Sequence, residues 1–222
     1  MIQSYDSNIR MTETVVDTKT KILDAAEKLF ADKGFDATSL RDITTGADVN
    51  LAAANYHFQT KDALIDAVIA RRIGPVNTRR LEMLDAAGPN PSVEQIIEAF
   101  IAPLLEREIL PMLPMMGRAL ANPDAFLFRI FKKHLAPVGE RFLAAFAIAL
   151  PSLSPAERTW RFLFMAGSMS HVLSWSHIVN EMTNGVCDPS DRKDVAARLV
   201  RFVAAGFRAA EPLPTTLKGG VA

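Results

Sequence analysis

The chain has 222 residues, with 49% hydrophobic side chains and 25 Lys plus Arg against 25 Asp plus Glu. That much apolar material can bury a real core in one large domain or two modest ones and excludes disorder as the default, while the balanced charge means that any basic face has to be local. The single cysteine, Cys187, excludes an intrachain disulfide and a thiol-rich metal site, which suits the cytoplasm.

Residues 1–16 lack the continuous apolar run of an export signal and read as a flexible arm. From about Thr18 to Lys33, Ile22, Leu23, Ala26, Leu29 and Phe30 recur at helical spacing, and Gly34 is a natural C-terminal stop. Ser39 stands three residues before Asp42, a variant of the capping box, and opens a two-turn helix ending near Gly46. Asn50 caps a third helix from Leu51 to about Phe58, and Thr60 caps a fourth that runs past Arg72 and should kink or break at Gly74-Pro75. Residues 17–72 therefore form one helical domain. Nothing in the chain alternates as a sustained strand, so the fold class expected is all-α, with about nine helices.

Residues 73–210 are greasier and punctuated by proline. Ser92 and Gln95 form a capping box for a helix through Phe100 and Leu104, which Pro103 should bend. Asn122-Pro123 restarts a helix with a kink at Pro137, Ser154-Pro155-Ala156-Glu157 opens a long uncharged one, and Asp188-Pro189 opens the last, ending near Ala210. Val195, Leu199, Phe202, Val203 and Phe207 form its apolar stripe, and residues 211–222 read as a flexible tail. Between Phe162 and Asn180 there is no charge, yet the serines, histidines and Asn180 suit a helix between other helices, so no membrane span is expected.

Two short helices joined by "GADVN" and braced by a first one make a helix-turn-helix arrangement, whose second short helix enters the DNA major groove. Small side chains at Ala52, Ala53 and Ala54 let that helix come close and touch thymine methyls, and Asn55 can bond adenine or a phosphate. Tyr56 and His57 can donate to phosphates, as can the helix start at Thr60 with Lys61, and Thr38 and Ser39 at the helix before. Asn50 at the cap joins this set, and Arg41 is suited to the O6 and N7 of guanine.

"ILDAAEKLFADKGFDATSLRDITTGADVN" together with "NYHFQTKDAL" resembles the TetR family of bacterial transcriptional repressors, over roughly Lys19 to Ile69. The resemblance implies a homodimer of all-α subunits that binds a near-palindromic operator and is released by a small ligand in its C-terminal domain. Carried over by position, Arg41, Leu51, Ala52 and Asn55 face bases, while Thr38, Ser39, Tyr56, His57 and Lys61 hold phosphates. Leu51 departs from the more frequent polar base reader and suggests a methyl contact.

No G-x-S-x-G, P-loop, G-x-G-x-x-G or H-E-x-x-H occurs, so neither an enzyme nor a cofactor is expected. His177 and Glu181 share a helix face but offer two metal ligands without a third, so no metal site is read and a buried histidine is the plainer account. Phe100, Leu104, Met112, Met115, Met116, Phe126, Phe131, Phe164, Ser168, His171 and Trp175 are the candidate walls of an apolar effector pocket, with Arg118, Arg129, Lys132 and Lys133 at its mouth or on a solvated face. "VNLAAANYHFQTKDALIDAV", "RFLFMAGSMSH" and "RFVAAGFRA" resemble the fatty-acid-responsive members of the family, which implies a fatty acid or acyl-CoA effector, with a drug-like or aromatic one as the alternative. The last two helices should form a four-helix dimer interface through Phe162, Met169, Val172, Leu199, Phe202 and Phe207.

Overall fold

The computed structural model describes the backbone of residues 3–106 and 125–210, with side chains from Thr18 onward in those spans except at 106, 125–127 and 177. Among the described residues there are nine helices and no strand: α1 Gln3–Lys33, α2 Leu40–Gly46, α3 Leu51–Phe58, α4 Lys61–Ala86, α5 Val93–Glu106, α6 Ala125–His134, α7 Ala136–Ala149, α8 Pro155–Met182 and α9 Arg192–Arg208. They divide into two compact units, one ending at Thr78 and taking in α6, the other beginning at Arg79 and resuming at Val138.

In the first unit, Ile22, Ala26 and Phe30 of α1, Ile43 of α2, Ala54 and Phe58 of α3, and Leu64, Val68 and Ile73 of α4 close one core. Each large side chain removed from water in this way contributes about 1.5–3 kcal/mol. Gly34, at φ 84°, ends the chain's first helical core segment, and Phe35 then packs edge-on against Phe30 with ring centroids 5.1 Å apart. The residues read as a loose arm are helical from Gln3, because no glycine or proline interrupts the run to Lys33. Across the core, Glu27 accepts from Arg72 and Arg71 pairs with Asp24 at 2.7 Å, tying α1 to α4.

Helix α4 does not break at Gly74-Pro75 but continues to Ala86 with Pro75 inside it. The expected kinked helix around Pro137 is instead two helices, α6 and α7, interrupted at Leu135, and Pro137 sits in the first turn of α7, where its missing N–H costs nothing. Ile130 places α6 in the core of the first unit. Arg129 pairs with Asp62 at 3.0 Å, Lys133 with Asp66 at 2.6 Å, the His134 ring with Asp66 at 2.7 Å, and Asn77 donates to the His134 carbonyl at 2.7 Å. Arg129 and Lys133, read as a pocket mouth or solvated face, are thus tied to α4; Arg118 lies outside the described residues. Burial alone would raise the Asp66 pKa, but hydrogen bonds from Lys133 and His134 outweigh it and hold the carboxyl below its ordinary value. A folded pKa below the unfolded one adds stability above pH 3.8 that is lost as pH falls through the folded value. Asp66→Asn should therefore lower stability at pH 7 yet flatten its decline below about pH 4, measured by urea unfolding at both pH values.

Gln59 joins α3 to α4 at φ 60°, ψ −46°, with Thr60 N donating to the Phe58 carbonyl at 2.6 Å. This three-residue turn is strained for a residue with a Cβ. Gln59→Gly should raise stability by about 1 kcal/mol, read as a higher urea midpoint at unchanged slope.

In the second unit, Phe100 of α5 is the centre of an aromatic cluster, with Phe142 and Phe162 each edge-on at 5.1 Å. Phe146 stacks on Phe207 at 4.1 Å. Arg80 is buried against this cluster, its guanidinium 3.9 Å from the Phe100 ring and its Nε donating to the Phe100 carbonyl at 2.8 Å. Burial pushes its pKa down to about 9, which still leaves it charged at neutral pH. Ser154 caps α8, as its Ser-Pro-x-Glu signal predicts, but the last helix starts at Arg192 and not at Pro189. Asp191 accepts from Lys193 N and Asp194 N at 3.0 and 3.1 Å, while Asp188 is spent on an Asx turn with Ser190. Phe202 leaves the predicted stripe and is 69% exposed.

Candidate nucleic-acid interface

The two short helices owe their positions to local chemistry. Ser39 Oγ accepts from Asp42 N at 3.1 Å and Asp42 Oδ2 accepts from Ser39 N at 2.9 Å, so the capping box is closed on both sides. Those Ser39 hydrogen bonds hold the Asp42 carboxyl below its ordinary pKa. In the turn, Asp48 takes φ 52° and Val49 N donates to the Thr44 carbonyl at 3.0 Å, which returns the chain to Asn50. Asn50 Oδ1 then accepts from Ala53 N at 2.8 Å and starts α3.

Burial selects the face of α3. Ala54 and Phe58, four residues apart, enter the core, whereas Leu51, Ala52, Asn55 and Tyr56 form the outward stripe, Tyr56 at 77% exposure. Ala54 is therefore small because it packs inside, and only Ala52 of the three alanines is fully on the outer face; Ala53 is half-buried. Tyr56 and His57 meet edge-to-face at 5.2 Å. Asn50 spends its carbonyl oxygen on the cap and, among the described residues, keeps two N–H donors uncommitted. Arg41 and Thr45 are exposed one turn apart on α2; the sequence reading missed Thr45, whose i+4 spacing from Arg41 is the signal. Lys61 Nζ reaches the Asp36 carbonyl at 3.4 Å, beside the start of α4, where Thr60 Oγ1 accepts from Ala63 N at 3.1 Å.

Two expected phosphate donors are otherwise employed. Thr38 is fully buried and donates its hydroxyl to the Gly34 carbonyl at 2.8 Å, with the Leu29 carbonyl at 3.3 Å, so it braces α1 against the turn. Ser39 gives its only proton to Asp42 at 2.7 Å.

Between Asp17 and Arg72 the sequence holds eight Lys or Arg against nine Asp or Glu, a poor balance for a DNA binder. The structure changes that account. Asp24 and Glu27 are neutralised by Arg71 and Arg72, and Asp62 and Asp66 by Arg129 and Lys133 of α6, a helix outside that stretch. Those four acids are answered by ion pairs, whereas among the described residues neither Arg41 nor Lys61 has a carboxylate partner.

The candidate effector residues are dispersed. Phe100 and Leu104 are buried in the second unit, Phe100 already enclosed by Phe142, Phe162 and Arg80. Phe164, His171 and Trp175 lie on the exposed side of α8, where Trp160 stacks on Phe164 and His171 on Trp175; Ser168 is half-buried nearby. These outward residues do not wall an enclosed pocket, because α8 turns Met165, Met169 and Leu173 to the core instead. His171, read as a pocket wall, is exposed. Phe131 belongs to the first unit and is 44% exposed. Met112, Met115, Met116 and the side chain of Phe126 lie outside the described residues, as does the side chain of His177. Among the described residues no group of three or more His, Cys, Asp or Glu could hold a metal ion, and no helix is long and apolar enough to cross a membrane.

The expected dimer face is also redistributed. Met169, Leu199 and Phe207 are core, and Phe162 is half-buried against Phe100, so they are not free for a partner; Val172 is half-buried and Phe202 exposed. The large apolar side chains that α8 and α9 leave exposed are Trp160, Leu163, Phe164, Trp175, Met182 and Phe202.

Comparison with known proteins agrees with this architecture. Residues 22–68 match a family described as "Bacterial regulatory proteins, tetR family", and residues 98–206 one described as "Tetracyclin repressor-like, C-terminal domain". The chain is 30% identical over 131 residues to the HTH-type transcriptional repressor Rv3405c of Mycobacterium tuberculosis, covering 58% of this chain and 67% of that protein. Its fold is similar to that of the fatty acid degradation regulator FadR from Bacillus halodurans, with TM-score 0.64, 13% identity and coverage of 84% and 98% of the two chains. The ketosteroid transcriptional regulator KstR2 of M. tuberculosis matches with TM-score 0.60, 15% identity and coverage of 85% and 93%. With a helix-turn-helix unit that matches the family's N-terminal domain, a second match over residues 98–206 and a 30% identical repressor, the chain belongs to the TetR family of bacterial transcriptional regulators.

Proposed function

We propose that the protein is a homodimeric repressor that holds a near-palindromic operator through paired α3 helices and is released by a small apolar effector, a fatty acid or acyl-CoA. The observation that carries the DNA reading is the outward stripe of Leu51, Ala52, Asn55 and Tyr56, flanked by Arg41 and Lys61 and backed by a buried opposite face. Ala52 lets the helix backbone approach base edges, Asn55 and Arg41 supply directional donors, and Tyr56, His57 and Lys61 hold phosphates on either side. Asn50, with its two uncommitted donors, joins the phosphate set.

A single α3 reads too few bases for a useful operator, and a two-fold dimer doubles the contact at half-sites about 34 Å apart or a multiple of it. The exposed aromatics of α8, with Trp160 stacked on Phe164 and His171 on Trp175, and Phe202 of α9 are the residues that a second copy would cover, since large exposed apolar side chains mark interaction surfaces. The fatty-acid reading is supported by the Phe- and Met-rich character of residues 100–131 and by the fold likeness to a fatty acid degradation regulator. A drug-like or aromatic effector is the alternative. In this reading the cytoplasm is where the protein works, and α4, which runs from the first unit into the second, carries the effector's influence to α3.

Fluorescence anisotropy with DNA from the protein's own promoter region, at two salt concentrations and with and without oleoyl-coenzyme A, tests the reading. Specific binding that the thioester abolishes is the expected result. Specific binding that it leaves intact would remove the lipid effector and keep the repressor; binding indistinguishable from the salt-sensitive background would remove both. Phe164→Glu with Trp175→Glu should yield a monomer in analytical ultracentrifugation that no longer holds the operator.

A further inference from the structure

Helices α5 and α9 pack along one another in the second unit, and a groove of about 900 Å³ opens beside their contact, a size typical of small-molecule sites. Its floor is apolar, made by Ala102 and Leu105 of α5 and Ala196 and Val200 of α9. Small residues keep it open. Among the described residues its rim is cationic, Arg192, Lys193 and Arg201 against one acid, Glu98. Arg192 is fixed at one end by donating to the Leu105 carbonyl at 3.3 Å.

The arrangement of charge on α9 is selective. Arg198 pairs with Asp194 at 2.6 Å and Arg208 with Glu94, so the basic residues turned from the groove are satisfied within the fold. Lys193 and Arg201, which line the groove, have no carboxylate within ion-pair distance among the described residues. Cations without partners above an apolar floor are matched by one chemistry, an anionic head on an apolar tail. From Lys193 to Arg201 the helix rises roughly 12 Å, the span available to such a ligand.

We infer that this groove is the effector site and that it takes an amphiphilic carboxylic acid of medium chain length, the carboxylate at Arg192 and Lys193 at one end and the tail over Leu105, Ala102 and Val200 toward Arg201. The inference rests on the ligand-responsive reading above and gives it a place and an anionic requirement. It also accounts for a central apolar cluster that is closed: Phe100 has no room to offer because the ligand lies on the other side of α5.

Isothermal titration of the full chain with decanoate and with decanol tests this directly. Decanoate is expected to bind once per chain and about tenfold more tightly than decanol, because only the acid engages Arg192 and Lys193. Arg192→Ala with Lys193→Ala should abolish that difference, Ala197→Trp should block both ligands by filling the groove, and Arg198→Ala should change neither. Equal affinity for acid and alcohol, no binding of either, or decanoate binding unaltered in both groove variants would overturn the inference. The variant at Arg192 and Lys193 only shortens side chains at the groove rim, and an unchanged circular dichroism spectrum shows that it folds, so the test stands even if the tryptophan variant does not. Because the readout is ligand binding and not operator release, a protein that ignores the promoter DNA can still pass it, and one that binds the promoter can still fail.

Discussion

Arg161→Met should lower the unfolding free energy by about 3 kcal/mol, a fall of roughly 10 °C in the midpoint of thermal unfolding followed by circular dichroism. Arg161 projects from the second turn of α8 and is only 6% exposed, a place where a charge survives only if every donor is answered. It is answered twice over. Its Nε donates to Glu157 at 2.8 Å within the same helix, and its terminal nitrogens reach the carbonyls of Gly206, Phe207 and Ala209 at 3.0, 2.9 and 2.8 Å, with Ala210 at 3.3 Å. Those carbonyls belong to the last turn of α9 and the residues just after it, where the helix has run out of N–H groups and only Ala209 N reaches one of them, that of Gly206, at 3.4 Å. A guanidinium there does the work of a C-terminal cap and sits at the negative end of the helix dipole.

Methionine would keep much of the volume, so the loss measures the polar network more than a cavity. Glu157 would be left partly buried without its cation, and the α9 carbonyls would lose their donors. Adding Glu157→Gln to Arg161→Met should recover part of the loss, because the uncompensated charge is then gone. A midpoint within 2 °C of the parent for the single variant would show that water replaces the guanidinium at no cost.

Helix starts were legible because each is written within four residues. Ser39 with Asp42, Asn50 with Ala53, Ser92 with Gln95 and Ser154 with Glu157 are bonds between positions three apart, and the side-chain types announce them. What the sequence concealed was long in range. Thr38 looks like a phosphate donor until the Leu29 carbonyl, nine residues back, is found beside it. Asp62 and Asp66 look like charges that spoil a DNA-binding domain until Arg129 and Lys133 arrive from 67 residues away. Helix α8 is the hardest element to read, since Phe162, Leu163, Phe164 and Met165 are consecutive and periodicity cannot choose among them. Packing chooses Met165, Met169 and Leu173, and so sends Phe164 and Trp175, read as pocket walls, to the outside.

The same distinction between local and distant partners decides what Arg41 is for. It stands exposed on a two-turn helix that Ile43 anchors in the core and that the Thr44 hydroxyl steadies by donating to the Arg41 carbonyl at 3.1 Å. Its neighbour Asp42 is engaged with Ser39, and among the described residues Arg41 itself has no carboxylate partner, so its fork is free for a base edge. Arg41→Ala should cost 1–3 kcal/mol per half-site, about thirtyfold or more in operator affinity for a dimer that makes the contact twice. Binding to unrelated DNA should change little. Lys61→Ala should do the opposite: a uniform weakening on all sequences, with the slope of log affinity against log salt reduced by about one per subunit. Anisotropy titrations of both variants on operator and on scrambled DNA, at several salt concentrations, separate the two roles. If Arg41→Ala weakens operator and scrambled DNA equally, the guanidinium holds a phosphate, and sequence is read by the stripe of Leu51, Ala52 and Asn55 alone.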